Sequence, residues 1–123
     1  MTKRTIELRD WITLRGVSPA FVTLAQDVEE TVDTDGATYG HAELQTLRCA
    51  SCTVFLEGSD SGQTFEPVLS ATGGAGLTTA RLNKDVPAGQ AGRLYRYLRW
   101  RIACTPGQPD WTATFRISVT LAD

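Results

Sequence analysis

The stretch from Trp111 to Leu121 constrains the fold more than any other part of this chain. Apolar and polar residues alternate along its whole length: Trp111, Ala113, Phe115, Ile117, Val119 and Leu121 against Thr112, Thr114, Arg116, Ser118 and Thr120. Because successive side chains of a β-strand point to opposite faces, this period of two predicts a strand with one buried and one solvated face.

The preceding stretch shows the same alternation. Leu98, Trp100, Ile102 and Cys104 share one parity, and Tyr97, Arg99 and Arg101 share the other. Residues 105–110 read Thr-Pro-Gly-Gln-Pro-Asp, which is typical of a turn. The sequence therefore predicts two long strands, paired through this turn, whose apolar side forms the floor of a core. The polar side, with Tyr97, Arg99, Arg101 and Arg116, is predicted to meet a partner.

Shorter runs of the same kind, separated by Gly, Pro, Ser and Asp, occur through the rest of the chain. About eight strands follow one another at the spacing typical of sandwiches and barrels. The chain has 123 residues and is 41% hydrophobic, which suffices for one core. We therefore expect an all-β fold: a single-domain antiparallel β-sandwich, jelly-roll-like, spanning residues 1–123.

Charge is unevenly distributed along the chain. Residues 1–80 carry 5 basic and 11 acidic side chains, whereas residues 81–123 carry 7 basic and 3 acidic ones. The acids cluster at Asp27, Glu29, Glu30, Asp33 and Asp35, and the bases cluster at Arg93, Arg96, Arg99 and Arg101. Ordinary solvated strand faces explain this pattern, and so does an acidic patch on one copy that meets a basic patch on the next.

The net charge of −2 does not favour non-specific nucleic-acid binding. An Arg–Tyr strand face with Trp100 on the buried parity indicates a protein contact instead, since both residue types are enriched at interfaces. Trp11 falls off the apolar parity of its own strand and, if exposed, would anchor an oligomer contact or stack on a sugar. The candidate interface residues are Trp11, Asp27, Glu29, Glu30, Asp33, Arg93, Tyr97, Arg99, Arg101 and Arg116.

Cys49-Ala-Ser-Cys52 is the only metal-like or redox-like motif. With Cys104 and His41 it would give the ligands of a zinc site, but positions i and i+3 of an extended strand point to opposite faces. A redox pair lacks a helix N-terminus to lower a thiol pKa. The expected cytosolic origin argues against a Cys52–Cys104 disulfide. The favoured interpretation is buried free cysteines that act as small apolar residues. Asp33-Thr-Asp-Gly36 lacks the calcium-loop spacing. We expect no cofactor, no metal and no enzymatic activity.

No apolar run is long enough to cross a membrane, and the first ten residues do not resemble a signal peptide. We expect synthesis in the cytosol without membrane contact.

The stretch Leu56-Glu-Gly-Ser-Asp-Ser-Gly-Gln-Thr-Phe65 resembles the strand–turn–strand of discoidin-like (coagulation factor 5/8 C-type) domains. Arg96-Tyr-Leu-Arg-Trp-Arg-Ile102 is similar to the late Arg-Tyr-x-Arg strand of those domains. The same signature recurs in small β-sandwich proteins of phage virions and phage-derived particles, such as head-decoration and tail-associated proteins. The resemblance covers residues 50–70 and 94–104. It implies a galactose-binding-like jelly roll and carries over no binding site.

Two functions follow from these observations. The first is a structural, non-enzymatic protein that forms homo-oligomers or binds a capsid or tail lattice, and is assembled into a virion or particle. The second is a carbohydrate-binding module of galactose-binding-like fold that uses loop aromatics such as Trp11 or Tyr39.

Overall fold

The computed structural model describes residues 3–17, 23–25, 31–34, 36–104 and 110–122. Every regular element in these residues is a β-strand. The strands are β1 (Lys3–Val17), β2 (Thr23–Ala25), β3 (Val32–Asp33), β4 (Tyr39–Ala50), β5 (Cys52–Ser59), β6 (Glu66–Thr72), β7 (Gly76–Asn83), β8 (Tyr97–Cys104) and β9 (Asp110–Ala122). A search of these residues finds no helix that could span a membrane.

The strands form two antiparallel sheets. Sheet A has the order β1-β9-β4-β7, and sheet B has the order β2-β8-β5-β6 with β3 also paired to β8. The pairs β1–β9, β2–β8, β4–β7 and β5–β6 are nested, because each encloses the next along the chain. The chain is thus a long two-stranded ribbon, closed at the β5–β6 turn and folded over into two layers. The predicted antiparallel β-sandwich is confirmed.

The core lies between the inward faces of the two sheets. Phe115 of β9 and Ile102 of β8 are fully buried, and Trp100 packs edge-on against Phe115 with 5.7 Å between the ring centroids. The residues of β9 alternate strictly between buried and half-buried from Trp111 to Ala122, as the sequence predicts. Aromatic contacts of this kind join the two layers.

The prediction that β8 and β9 pair with each other is wrong. β8 lies in sheet B between β5 and the β2/β3 edge, whereas β9 lies in sheet A between β1 and β4. Alternation shows only that each strand buries one face, and this holds equally for strands side by side and for strands in opposite layers. The buried faces of β8 and β9 therefore meet across the core.

Arg116 consequently lies on the opposite outer face from Arg99 and Arg101. The outer face of sheet A carries Arg116, and that of sheet B carries the two arginines of β8. The single polar surface predicted from the two strands is thus two surfaces on opposite sides of the sandwich.

Trp11 keeps the outward parity of β1. Ile12 and Leu14 pack against the core, whereas the Trp11 side chain between Asp10 and Ile12 is exposed. The pairing of β1 with β9 shifts just before this point, between Glu7 and Arg9 and again between Arg9 and Ile12. Such irregularities interrupt the pairing without ending the strand.

The β5–β6 hairpin, predicted from Ser51–Glu57 and Gln63–Ala71, is confirmed. The buried Ser59 hydroxyl accepts hydrogen bonds from the backbone N–H groups of Gly62 (2.9 Å) and Ser61 (3.2 Å). Gly62 has a φ of +80°, a left-handed conformation that glycine adopts without strain. The side chain of Ser59 thus closes the turn by pairing its backbone donors.

Candidate interaction surfaces

The outer face of sheet B is built around a buried carboxylate. Glu57 of β5 lies directly opposite Arg99 of β8. Arg99 Nε donates to Glu57 Oε1 at 3.1 Å, and Arg101 Nε donates to Glu57 Oε2 at 2.8 Å. The Glu57 side chain is only 5% exposed, although its parity places it on the outside of the sheet. Both carboxylate oxygens are therefore neutralised by neighbouring cations.

Aromatic rings hold the same two arginines in place. The Arg99 guanidinium lies 3.7 Å from the centroid of the Phe65 ring, and that of Arg101 lies 4.2 Å from the centroid of Phe55. The two arginine side chains are 24% and 22% exposed. Residues Phe55, Glu57, Phe65, Arg99 and Arg101 are called the arginine cluster below. Ion pairing and stacking restrict its guanidinium groups to one geometry.

The remaining predicted bases are paired with acids of the same chain. Arg93 donates to Asp60 Oδ2 at 3.1 Å and also to the backbone carbonyls of Lys84 and Val86. Arg96 Nε lies 3.6 Å from Asp33 Oδ1. Arg93 thus fixes the loop between β7 and β8, and the Asp33–Arg96 pair brings a predicted acid and a predicted base together within one molecule.

Tyr97 completes this region. Its ring lies 5.3 Å from the Arg96 guanidinium and borders Gly62 of the β5–β6 turn. Tyr97 is half-buried at the start of β8. It therefore packs against its own chain and retains only part of its surface for a partner.

Four of the five predicted acids, Asp27, Glu29, Glu30 and Asp35, lie outside the described residues. The strands on either side of the first three are described: Ala25 pairs with Arg101, and Val32 pairs with Leu98. Both flanking strands, β2 and β3, therefore pair with β8. The role of the acidic segment as a contact between copies stays a prediction.

The outer face of sheet A carries the exposed Trp11. The Arg116 guanidinium lies 5.6 Å from the Trp11 ring centroid, and its Nε donates to Gln45 Oε1 at 3.0 Å. Threonine pairs cross from β1 to β9 on this face, with 2.8 Å between the hydroxyls of Thr13 and Thr114. Trp11 is 39% exposed and lies on β1, which is an edge strand of the sheet.

An open cleft lies at the far end of the same sheet. Its volume is about 280 Å³, and Tyr39, His41, Arg81 and Thr120 contribute to its lining. Tyr39 is 48% exposed. His41 lies 3.5 Å from Glu43 and is exposed, whereas Cys49 and Cys52 are buried. Among the described residues, no group of three or more potential ligands could hold a metal ion.

The geometry of the C-x-x-C motif differs from the sequence-based expectation. β4 ends at Ala50 and β5 begins at Cys52, and Ser51 between them has a φ of +59°. This sharp turn carries the chain from sheet A to sheet B. Cys49 and Cys52 therefore both point into the interior, with their Sγ atoms 3.6 Å apart. The prediction that they face opposite ways is wrong because the motif is not one continuous strand.

Sequence reasoning also missed the role of Glu57. Its outward parity and the outward parity of Arg99 and Arg101 were visible in the sequence. The pairing of β5 with β8, which places the three side chains side by side, could not be predicted from the sequence. A lone acid on the outer parity of an otherwise apolar strand was the signal that could have pointed to a partner on the neighbouring strand.

Neither a protein-family model nor a curated protein matches this chain. Solved structures do. The exported protein XepA of PBSX is 14% identical with a TM-score of 0.51, covering 97% of this chain and 37% of that one. The VP2 subviral particle of infectious bursal disease virus is 16% identical with a TM-score of 0.53, covering 98% and 33%. A structure of the Gt strain of that virus is 18% identical in sequence with a TM-score of 0.53, and the match covers 98% of this chain and 31% of that one.

These similarities define the class of fold. The chain shares its β-sandwich over nearly its whole length with an exported protein and with viral particle proteins, and it spans about a third of the length of each. At these identities the likeness shows the fold alone.

Proposed function

We propose that this chain is a structural, non-enzymatic protein that self-associates or binds a particle surface, as a virion decoration or tail component does. The observation that carries this proposal is the shared sandwich, which spans 97–98% of this chain in XepA and in VP2 particles. The nested strand pairs support a jelly-roll arrangement, an architecture used in viral capsids. We place the protein in a virion or particle after synthesis in the cytosol.

The contacts would be made by side chains that the fold leaves accessible. Trp11 meets this condition on the edge strand β1, and Asp33 and Arg96 meet it beside sheet B, with side chains 48% and 51% exposed. Aromatic anchors dominate the energy of many interfaces. Many copies on a lattice would add weak contacts of this kind through avidity.

The arginine cluster is a poor place to test this proposal. Arg99 and Arg101 neutralise a carboxylate that is only 5% exposed, so that replacing either would disturb the fold together with any contact. Trp11 is the better probe, because truncating an exposed side chain leaves the core unchanged.

The test compares the wild-type chain with Trp11→Ala by native mass spectrometry, light scattering and co-sedimentation with virus particles of the source organism. We expect self-association or particle binding that Trp11→Ala weakens by about tenfold or more. Leu77→Ala is the matched control, since Leu77 is a 58% exposed residue on β7 at the opposite edge of sheet A. A wild-type chain that stays monomeric and ignores every particle contradicts the proposal.

The second candidate is carbohydrate binding. Tyr39 lies at the rim of the open cleft beside His41 and Arg81, which places an exposed aromatic ring next to hydrogen-bonding groups. The expected result is a hit on a glycan array that Tyr39→Ala removes and Trp11→Ala retains. An array without hits rules this function out for the glycans tested.

A further inference from the structure

The thiol pair at the β4–β5 turn has the geometry of a reactive dithiol. Cys49 and Cys52 are held as thiols, with 3.6 Å between their Sγ atoms. A disulfide bond is about 2.05 Å long and needs Cβ atoms about 3.5–4.5 Å apart, so the two sulfurs need only a small approach to bond. The left-handed Ser51 fixes this approach, because it folds the motif back on itself.

The surroundings of Cys49 favour its thiolate form. The side-chain hydrogen bond between the two thiols lowers the pKa of the Cys49 thiol to about 7 from its usual 9.0, although the Cys49 thiol also donates to the backbone carbonyl oxygen of Cys52 at 3.0 Å. Burial opposes this shift, and the backbone N–H groups of Gly73 and Val54 add to it. Hydrogen bonds to a charged group favour that charged form. They replace the helix N-terminus that lowers the thiol pKa in other C-x-x-C sites.

A glycine-rich turn lies beside the pair. The Cys49 thiol lies 3.7 Å from the carbonyl oxygen of Ala71, at the end of β6 where the exposed β6–β7 turn begins. In that turn, no atom would come within 4 Å of a Cβ built on Gly73 or Gly74, so its outer side faces open space. The Thr46 hydroxyl, which donates to the carbonyl oxygen of Gly74 at 3.1 Å, holds its inner side. An exposed turn held by so few side-chain contacts can open locally without global unfolding. Opening of this turn gives a small reagent a path to Cys49.

We propose that Cys49 and Cys52 form a thiol modification site that a low-molecular-weight disulfide oxidises to an internal disulfide bond. The Cys49 thiolate attacks one sulfur of the oxidant, whose S–S bond breaks, and one thiolate leaves. The Cys52 thiol then loses its proton and attacks the Cys49 sulfur, which releases the second thiolate. Two electrons and two protons pass from the protein to the oxidant, which becomes two thiols.

The competing product is a Cys52–Cys104 bond, since these residues are direct partners in the pairing of β5 with β8. Trypsin separates the two products. It cuts after Arg48, Arg81, Arg101 and Arg116, so Cys49 and Cys52 share the peptide 49–81 and Cys104 lies in the peptide 102–116. An internal bond leaves one peptide lighter by two hydrogen atoms, whereas a bond to Cys104 links two peptides.

The experiment incubates the folded full-length chain with oxidised glutathione, stops the reaction with acid, alkylates the remaining thiols and maps the peptides by mass. We expect the lighter 49–81 peptide in the wild type and in Cys104→Ser. Cys52→Ser should stop at a mixed disulfide of Cys49 with glutathione. Cys49→Ser should react at least about tenfold more slowly near pH 7, because it lacks the Cys49 thiolate that makes the first attack.

The rate should rise with pH and level off above about pH 7, as the Cys49 thiolate fraction saturates. Two results overturn the proposal: a peptide pair linked through Cys104 as the main product, or both thiols still open to alkylation after long incubation. The wild-type peptide map alone distinguishes these results, so the conclusion does not depend on the folding of any variant. It is also independent of self-association, which this measurement does not touch.

Discussion

At the scale of single residues, one close approach between backbone and ring organises one end of the β5–β8 pair in sheet B. Gly58 of β5 lies under the Tyr95 ring, and a Cβ built on Gly58 would come within 2.4 Å of Tyr95 Cδ2. The Tyr95 hydroxyl donates to Glu66 Oε2 at 2.5 Å and accepts from the Gly89 N–H at 3.0 Å. Burial and the Glu66 carboxylate raise the pKa of Tyr95. Glycine at position 58 allows the ring to reach these partners.

We therefore predict that Gly58→Ala lowers the free energy of unfolding by about 1–3 kcal/mol, as overpacking of a rigid site does. Urea unfolding followed by circular dichroism measures the change. Gly74→Ala is the matched control, because no atom lies within 4 Å of its built Cβ and its effect should stay within about 0.5 kcal/mol. Equal effects of the two substitutions would show that the Tyr95 ring moves aside freely.

At the scale of elements, the pairing of β5 with β8 converts outward polar residues into a fixed cluster. Glu57, Arg99 and Arg101 each follow the outward parity of their strands, and only the register of the two strands places them together. The carboxylate is buried beneath the arginines and the flanking phenylalanine rings. A buried ion pair depends on all of its members, since removal of one leaves the others uncompensated.

Glu57→Gln should accordingly cost about 3–5 kcal/mol of stability, because it leaves two arginines around a neutral amide. Asp33→Asn provides the comparison, since the Asp33–Arg96 pair is about half exposed and such pairs contribute about 0–1 kcal/mol. Chemical denaturation of both variants at one salt concentration tests the difference. Similar small losses in both would mean that water replaces the Glu57 carboxylate at no cost.

At the scale of the whole molecule, the nested ribbon sets the order in which contacts can form. The β5–β6 hairpin joins residues close in sequence, whereas β1 and β9 pair residues as distant as Thr5 and Thr120. Closing a long loop costs entropy before its contacts can compensate. Chains dominated by distant pairs therefore fold slowly, on the order of milliseconds to seconds.

This topology predicts that the hairpin turn forms early and the outer strand late. Ser59→Ala, which removes the acceptor that closes the turn, should mainly slow refolding. Thr13→Ala, which removes the Thr13–Thr114 hydrogen bond, should mainly speed unfolding. Stopped-flow tryptophan fluorescence measures both rates. The reverse assignment of the two effects would place the β1–β9 pair in the folding nucleus.

Much of the fold could be predicted from the sequence, because a strand that buries one face alternates between apolar and polar residues. The alternation from Trp111 to Ala122, the inward parity of Trp100 and Ile102, and the β5–β6 hairpin all follow from local rules of side-chain direction and turn chemistry. The sequence predicts strands at residues 5–14 and 42–49, and β1 and β4 extend beyond both, since their ends contain mixed runs in place of clean alternation.

The sequence by itself determined that this chain is a two-layer β protein, and it determined which face of each strand is buried. Only the tertiary structure decided which strands are neighbours. Because of this strand order, β9 lies across the core from β8, and Glu57 lies beneath Arg99 and Arg101 on sheet B. Arg116 lies beside Trp11 on the outer face of sheet A. Side-chain periodicity is a local property of the chain, whereas strand order and the turn that brings Cys49 to Cys52 depend on packing between distant segments.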